Sequence, residues 1–144
     1  MKTIVLISCV SQKQKTNGFL IPAEDLYISP LFKKTLKYAE GLNPDHIYIL
    51  SAKYHLLPLD KKVETYAKTL NDMPAKERKQ WAKMVLKNLE DYGHDLEHDE
   101  FIILAGERYC KYLLGEKGIK NGRQVYKENG LKGIGYILQF LSSN

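Results

Sequence analysis

Four side chains that can exchange protons or bind anions lie within five residues of one another. Ser51, Lys53, Tyr54 and His55 occur in "ILSAKYHLLPLD", where an apolar run stops and a turn begins. A lysine at this point can hold a phosphate or carboxylate, or act as a base once it is desolvated. A histidine can shuttle protons near neutral pH. A solvated loop has the same composition, so the segment is either a loop or one wall of a site.

Two other apolar runs also end in polar residues. The first is followed by Ser8, Cys9, Ser11 and Lys13, and a later one by Gly106, Glu107, Arg108 and Tyr109. Cys9 would be a nucleophile if a base or cations lowered the pKa of its thiol, whereas a buried thiol would only pack. Arg108 at a helix start would suit an anion, although an exposed helix arginine looks the same. We take Cys9, Lys53 and His55 as candidate catalytic residues.

The elements that must position these residues alternate along the chain. Strands are predicted at residues 3–7, 46–51, 101–105 and 124–126. A helix capped by Ser29 begins at Pro30, a short helix follows Gly106, and the last helix has Gly133 and Gly135 in its first turn. Residues 56–73 are predicted to be irregular. This order favours a single α/β domain over residues 1–144, with a mainly parallel sheet of about four strands flanked by helices on both faces.

The longest predicted helix, from Pro74 to about Tyr92, combines an apolar face with a row of lysines. We assign to its apolar face Trp81, Met84, Val85, Leu89 and Tyr92. The lysines that recur at helical spacing, the lysine stripe, are Lys76, Lys79, Lys83 and Lys87. Such a row can lie along a phosphate backbone, or it can be the solvated face of an amphipathic helix.

The composition limits the classes of protein that the chain can belong to. Hydrophobic residues make up 44% and charged residues 27%, which is typical of globular domains, and the net charge is +5. The apolar part of "MKTIVLISCVSQKQK" is too short for a signal peptide, and no run could span a bilayer. Two cysteines without partners at ligand spacing predict neither a disulfide scaffold nor a metal site. We expect a cytoplasmic protein with no cofactor, no metal and no membrane contact.

Several segments together resemble the YaaA-type peroxide-stress proteins in compact form. They are, in order, "LISCVSQKQK", "DLYISPLFKKTLKYAE", "YILSAKYHLLPLDKKVETYAKTLNDM", "FIILAGERYCKYLL" and "LKGIGYILQFL". The most specific matches are Leu50, Ser51, Tyr54, Leu57, Pro58, Leu59, Asp60 and Tyr66, followed later by Ala105 and Tyr109. Where that family usually has glycine, this chain has His55. This chain is also much shorter than those proteins, so we expect it to lack some of the elements with which they bind DNA.

The resemblance implies an α/β fold and a connection with nucleic acid. A more distant similarity has the same implication: "SC-x-S-x-K" is similar to the domain of archaeosine synthase that modifies a deazaguanine base. Ligands of open α/β sheets bind beyond the carboxyl ends of the strands. From both arguments we expect a ligand to contact Ser8, Ser11, Lys13, Tyr27, Ser51, Tyr54, Tyr66, Gly106, Arg108, Tyr109, Gly133 and Gly135.

Three hypotheses follow for the function. The first is a nucleic-acid-associated protein that binds DNA, or a modified base or nucleotide, with the lysine stripe on the phosphates. The second is an enzyme acting on a nucleobase or nucleotide, for example in base modification or glycosidic-bond chemistry. The third is a bacterial or phage partner-binding module without catalysis, marked by an exposed apolar patch. The sequence does not determine the oligomeric state.

Overall fold

The sheet is built around β1 (Thr3–Ser8), the apolar run near the N-terminus. The structure is a computed structural model and describes residues 1–8, 18–66 and 70–143. The strands are β1 (Thr3–Ser8), β2 (Ile21–Pro22), β3 (His46–Ser51), β4 (His55–Pro58), β5 (Lys62–Val63), β6 (Glu100–Leu104) and β7 (Gly122–Gln124). The helices are α1 (Ala23–Leu26), α2 (Pro30–Gly41), α3 (Ala75–Asp91), α4 (Glu107–Cys110), α5 (Val125–Glu128) and α6 (Ile134–Ser143), with a 3₁₀ turn at Leu70–Asp72.

The main sheet has the order β4-β3-β1-β6-β7, and β2 and β5 form a separate antiparallel pair. β1 pairs in parallel with both β3 and β6, and β6 pairs in parallel with β7. The predicted α/β class with a mostly parallel sheet is therefore confirmed. The carboxyl ends of these four strands lie at one edge of the sheet, which we call the carboxyl edge.

One strand of the sheet was not predicted. β4 falls in the segment that the sequence predicts to be irregular, and it runs antiparallel to β3 with Ser51 opposite His55. A tight turn at residues 52–54 joins the two strands. The sheet thus has five strands rather than about four, because a hairpin partner buries Leu56 and Leu57 where the prediction placed a loop.

Local signals fixed the start of α2. Ser29 Oγ accepts a hydrogen bond from the Phe32 N–H at 3.1 Å, and Pro30 occupies the first helical position. The proline has no N–H to leave unpaired there, and its fixed φ suits a helix. The predicted cap and first residue of this helix are both confirmed.

The buried face of α3 differs from the prediction. Trp81, Val85 and Leu89 are buried as expected, but Met84 is 40% exposed and Tyr92 is 51% exposed. Their places are taken by the buried side chains of Ala82 and Leu86.

Alternate side chains of β1 pack into two different hydrophobic clusters. Ile4 and Leu6 share a cluster with the buried side chains of α3, whereas Val5 and Ile7 share one with those of α2. The alternation follows from the period of two residues along a strand. Within the described ranges, no helix is both long enough and apolar enough to cross a membrane.

Candidate functional site at the carboxyl edge of the sheet

The carboxyl edge brings together segments that are far apart in the sequence. β1 ends at Ser8, β3 at Ser51, β6 at Leu104 and β7 at Gln124. The register pairs Ser8 with Leu50 on one side, and on the other side Ile7 with Leu104. Since neighbouring strands lie about 4.8 Å apart, the segments that follow β3 and β6 are separated by roughly 10 Å. One nucleotide could therefore contact both.

Three hydroxyl groups form a chain at the end of β3. Ser51 Oγ donates to the Tyr66 hydroxyl at 2.9 Å, and the hydroxyls of Tyr66 and Tyr27 are 2.6 Å apart. The Tyr54 N–H donates to Ser51 Oγ at 3.0 Å. The four residues predicted to bind a ligand in this region are thus brought together. Ser51 and Tyr27 are buried, so the serine holds the turn and the tyrosines rather than acting as an accessible nucleophile.

The hydroxyl chain has one proton more than its internal bonds use. Ser51 gives its proton to Tyr66, and either Tyr66 or Tyr27 uses its own proton for the bond between the two tyrosines. The third proton is not used by the two bonds within the chain.

Two predicted catalytic residues, Lys53 and His55, have different surroundings. Lys53 is exposed, and its Nζ lies 5.2 Å from the centroid of the Tyr54 ring. His55 is half-buried and lines a cavity of about 390 Å³ together with Met73, Glu77 and Trp81. The hairpin therefore presents the ammonium group over a tyrosine and the imidazole toward α3.

The backbone at His55 has the conformation that glycine prefers. Its φ is +65°, in the left-handed region, which costs an L-residue roughly 1–2 kcal/mol. We expect His55→Gly to be more stable than His55→Ala, with a free energy of unfolding about 1 kcal/mol higher. Both substitutions remove the imidazole, but only glycine removes the backbone strain. Urea denaturation of the two variants measures this difference. Equal stabilities, or a more stable alanine variant, would contradict it.

The residues after β6 divide between a helix and a cavity. Arg108 is exposed on α4, and Tyr109 is half-buried with its ring 5.9 Å from that of Trp81. Gly106 and Gly133 line a cavity of about 540 Å³, and Gly135 lies exposed in the first turn of α6. Arg108 and Lys53 are not among the residues that line this cavity.

This cavity, which we call the β6–β7 cavity, combines apolar walls with a few polar groups. Its apolar side chains include Leu131 and Ile137, and its charged and amide side chains are Glu107, Gln124, Lys127 and Lys132. Apolar walls with few polar groups are typical of small-molecule sites, and the Gln124 amide is a side chain that could hydrogen-bond to the edge of a nucleobase. Glu107 and two of the cavity's glycines were named from the sequence, but Gln124, Lys127 and Lys132, which belong to β7, to α5 and to the segment before α6, were missed.

The lysine stripe lies along α3 as predicted. Lys76, Lys79, Lys83 and Lys87 are all exposed, and none forms an ion pair with the described residues. The Trp81 indole N–H donates to the Ser51 carbonyl at 2.8 Å, which holds the second turn of α3 against the end of β3. The first two lysines therefore lie near the carboxyl edge.

Three predicted site residues, Cys9, Ser11 and Lys13, lie outside the described residues. Ser8 ends β1 and is half-buried. Burial raises the pKa of the other thiol, Cys110, to about 12, so this cysteine is no nucleophile at neutral pH. In the three described ranges, no group of three or more metal-ligating side chains is found.

A buried polar cluster at the opposite edge of the sheet was missed. Lys2 Nζ lies 2.9 Å from His94 Nδ1 and 3.7 Å from an Asp99 carboxylate oxygen, and the Tyr48 hydroxyl lies 2.6 Å from His94 Nε2. The His46 ring meets the His94 ring edge-on at 4.7 Å. Because an ammonium group only donates, Nδ1 must accept, and the neutral imidazole carries its proton on Nε2.

This arrangement makes stability depend on pH. Burial lowers the pKa of His94 from 6.5 to about 4, and the charge of Lys2 acts in the same direction. The unfolded chain therefore binds more protons between these two values, so the free energy of unfolding falls as the pH drops through this window, by about 3 kcal/mol in total. Urea denaturation between pH 7 and pH 4 measures the change.

Two substitutions isolate the contribution of His94. His94→Gln removes the titrating group, so it should flatten the fall in stability between pH 6.5 and pH 4. His98→Gln is the matched control, because Asp95 raises the pKa of the exposed His98 and this group acts in the opposite direction. If the pH profile of His94→Gln followed that of the unaltered protein, the buried imidazole would not be its source.

The chain was compared with protein families, curated proteins and solved structures. No curated protein and no solved structure matches it. Residues 4–143 match the model of a family described as a family of unknown function, DUF6884. Because the match covers almost the whole chain, the protein belongs to the DUF6884 family.

Proposed function

We propose that this protein binds nucleic acid, with its phosphates along the lysine stripe and a base or nucleotide at the carboxyl edge. The observation that carries the proposal is the stripe itself. Four exposed lysines on one helix have no acidic partner among the described residues. Their row begins near the turn between β3 and β4, where Trp81 of the same helix bonds to Ser51. Counterion release makes such a row favourable for a polyanion.

The dimensions of the stripe support this assignment. At 100° per residue, Lys76, Lys79, Lys83 and Lys87 fall within a sector of about 80°. Eleven residues separate the first lysine from the last, so the row is about 16 Å long at 1.5 Å per residue. That length corresponds to roughly five base-pair steps of duplex DNA at 3.4 Å each.

The resemblance to YaaA-type proteins supports the same proposal from the sequence. The departure at His55 is less severe than it looks, because the chain at this position keeps a backbone conformation that glycine favours. The turn geometry around Ser51 and Tyr54 can therefore be shared with that family although the residue differs.

The β6–β7 cavity is the proposed place for the base. A volume of about 540 Å³ lies within the range of small-molecule sites, and its lysines could contact the phosphate of a nucleotide. A base within a duplex cannot reach such a cavity, so we expect it to come from a single strand or to be flipped out.

Binding of labelled duplex and single-stranded DNA, measured by fluorescence anisotropy between 50 and 300 mM salt, tests the proposal. We expect log K to fall steeply with log salt, by about 0.9 per phosphate contact for duplex and about 0.7 for a single strand. Absence of binding at 50 mM salt, or an affinity that does not change with salt, would refute it.

A second candidate function is catalysis on a nucleobase or nucleotide. The observation that favours it is the hydroxyl chain of Ser51, Tyr66 and Tyr27, which brings three groups able to exchange protons together at the end of β3. Incubation of the protein with nucleosides, nucleotides and oligonucleotides, followed by mass spectrometry, would reveal a product. A product formed by the unaltered protein and lost in Tyr66→Phe supports this candidate, and the absence of any mass change counts against it.

A further inference from the structure

Three cations converge on one tyrosine beside the lysine stripe. Arg78 and Lys79 of α3 each lie 5.6 Å from the centroid of the Tyr112 ring, and Lys111 lies 5.5 Å from it. The ring is partly buried against the hydrophobic cluster on the α3 side of the sheet. We call these four residues the Tyr112 cluster. Cation–π attraction offsets part of the repulsion between the three positive charges.

The Tyr112 cluster has no anionic partner among the residues that the structure describes. Arg78 Nε is buried and is the one buried side-chain nitrogen or oxygen in those residues that has no hydrogen-bond partner. A buried donor without a partner is unfavourable, so an acceptor oxygen at this position would be stabilising.

The start of α3 adds to the positive field. Pro74 provides no side-chain cap for the helix, and Arg78 and Lys79 follow within the next five residues. The acidic residue of the first turn, Glu77, lines the cavity beside His55 rather than the Tyr112 cluster. The positive end of the helix dipole therefore acts in the same direction as the three side chains.

We propose that the Tyr112 cluster binds a phosphomonoester dianion, the terminal phosphate of a nucleic acid strand. This inference rests on the proposed function and goes further, because it distinguishes strand ends from internal phosphates. A terminal phosphate carries about −1.5 to −2 charge at neutral pH, whereas an internal phosphodiester carries −1. Three converging cations suit the higher charge, and the lysines elsewhere in the stripe, spaced one per turn, suit the lower charge.

Single-stranded 12-mers with a 5′-phosphate, a 3′-phosphate or no terminal phosphate provide the test. We expect at least one phosphorylated end to bind about tenfold more tightly than the unphosphorylated strand, as measured by anisotropy at 100 mM salt. Lys111→Gln should abolish this gain and Lys111→Arg should retain it. The matched control Lys37→Gln, an exposed lysine on α2, should leave the gain unchanged.

The outcomes separate this inference from the proposed function. Equal affinities for all three strands overturn the terminal-phosphate site while leaving nucleic-acid binding intact. If no strand binds, the proposed function fails, and adenosine monophosphate and inorganic phosphate become the probes in thermal unfolding. Stabilisation by the nucleotide alone, lost in Lys111→Gln, would still support the phosphomonoester site. Equal stabilisation by inorganic phosphate would assign the cluster to free phosphate and overturn the inference. The inference would also be overturned if neither adenosine monophosphate nor inorganic phosphate stabilised the protein.

Discussion

Replacing Lys76, Lys83 and Lys87 with glutamine should lower the affinity for unphosphorylated duplex DNA by several hundredfold at 0.1 M salt. Each phosphate contact contributes about 0.9 to the slope of log K against log salt, which is roughly eightfold in affinity at this concentration. Three contacts multiply to about 500-fold, and the slope itself should fall by about 2.7. Anisotropy titrations over a salt series measure both quantities. Lys79 is left unaltered because it also belongs to the Tyr112 cluster.

The control for this triple variant removes the same charge elsewhere. Lys33, Lys37 and Lys62 are exposed on α2 and β5, whose buried residues pack in the other hydrophobic cluster. Their replacement with glutamine should weaken binding less than tenfold, because only the long-range field changes. Equal losses in the two triple variants would mean that net charge, and not the stripe, determines binding.

Replacing Trp81 with alanine should lower the free energy of unfolding by about 3–5 kcal/mol. The indole is 4% exposed and packs in the hydrophobic cluster that contains Ile4 and Leu6 of β1, so its removal leaves a cavity. Its N–H also satisfies the buried carbonyl of Ser51. Trp81→Phe retains most of the packing and loses this bond, so we expect a loss of about 1–3 kcal/mol. Urea denaturation followed by far-UV circular dichroism measures both, since Trp81 is the single tryptophan of the chain.

Met84→Ala provides the comparison on the same helix. The sequence assigns Met84 to the same apolar face as Trp81, but the side chain is 40% exposed. We expect its truncation to change the free energy of unfolding by less than about 1 kcal/mol. A loss comparable to that of Trp81→Ala would show that the two residues share one buried face, as the sequence predicts.

Local signals and the parallel-sheet rule account for what the sequence could predict. The cap at Ser29 and the proline after it act within one turn, so the start of α2 can be read from adjacent residues. Ser51 and Tyr54 come to the carboxyl edge because β3 ends where polar residues begin, whereas Tyr66 was expected there from the family resemblance alone.

Non-local contacts account for what the sequence could not predict. The strand β4 depends on pairing with β3, and its short apolar run looks the same in a loop. The buried His94 has its partners at Lys2 and Tyr48, and no spacing connects residues so far apart. Arg78 and Tyr112 likewise meet only through the packing of α3 against the segment after α4.

The central position of β1 has a consequence for synthesis on the ribosome. Thr3 pairs with Glu100, so one side of β1 waits for a partner that is synthesised about a hundred residues later. Until β6 has emerged, a nascent chain exposes the unpaired edge of an apolar strand, which is a template for aggregation. Polypeptides released before residue 104 should therefore need chaperone protection, whereas chains that extend past it can pair both sides of β1.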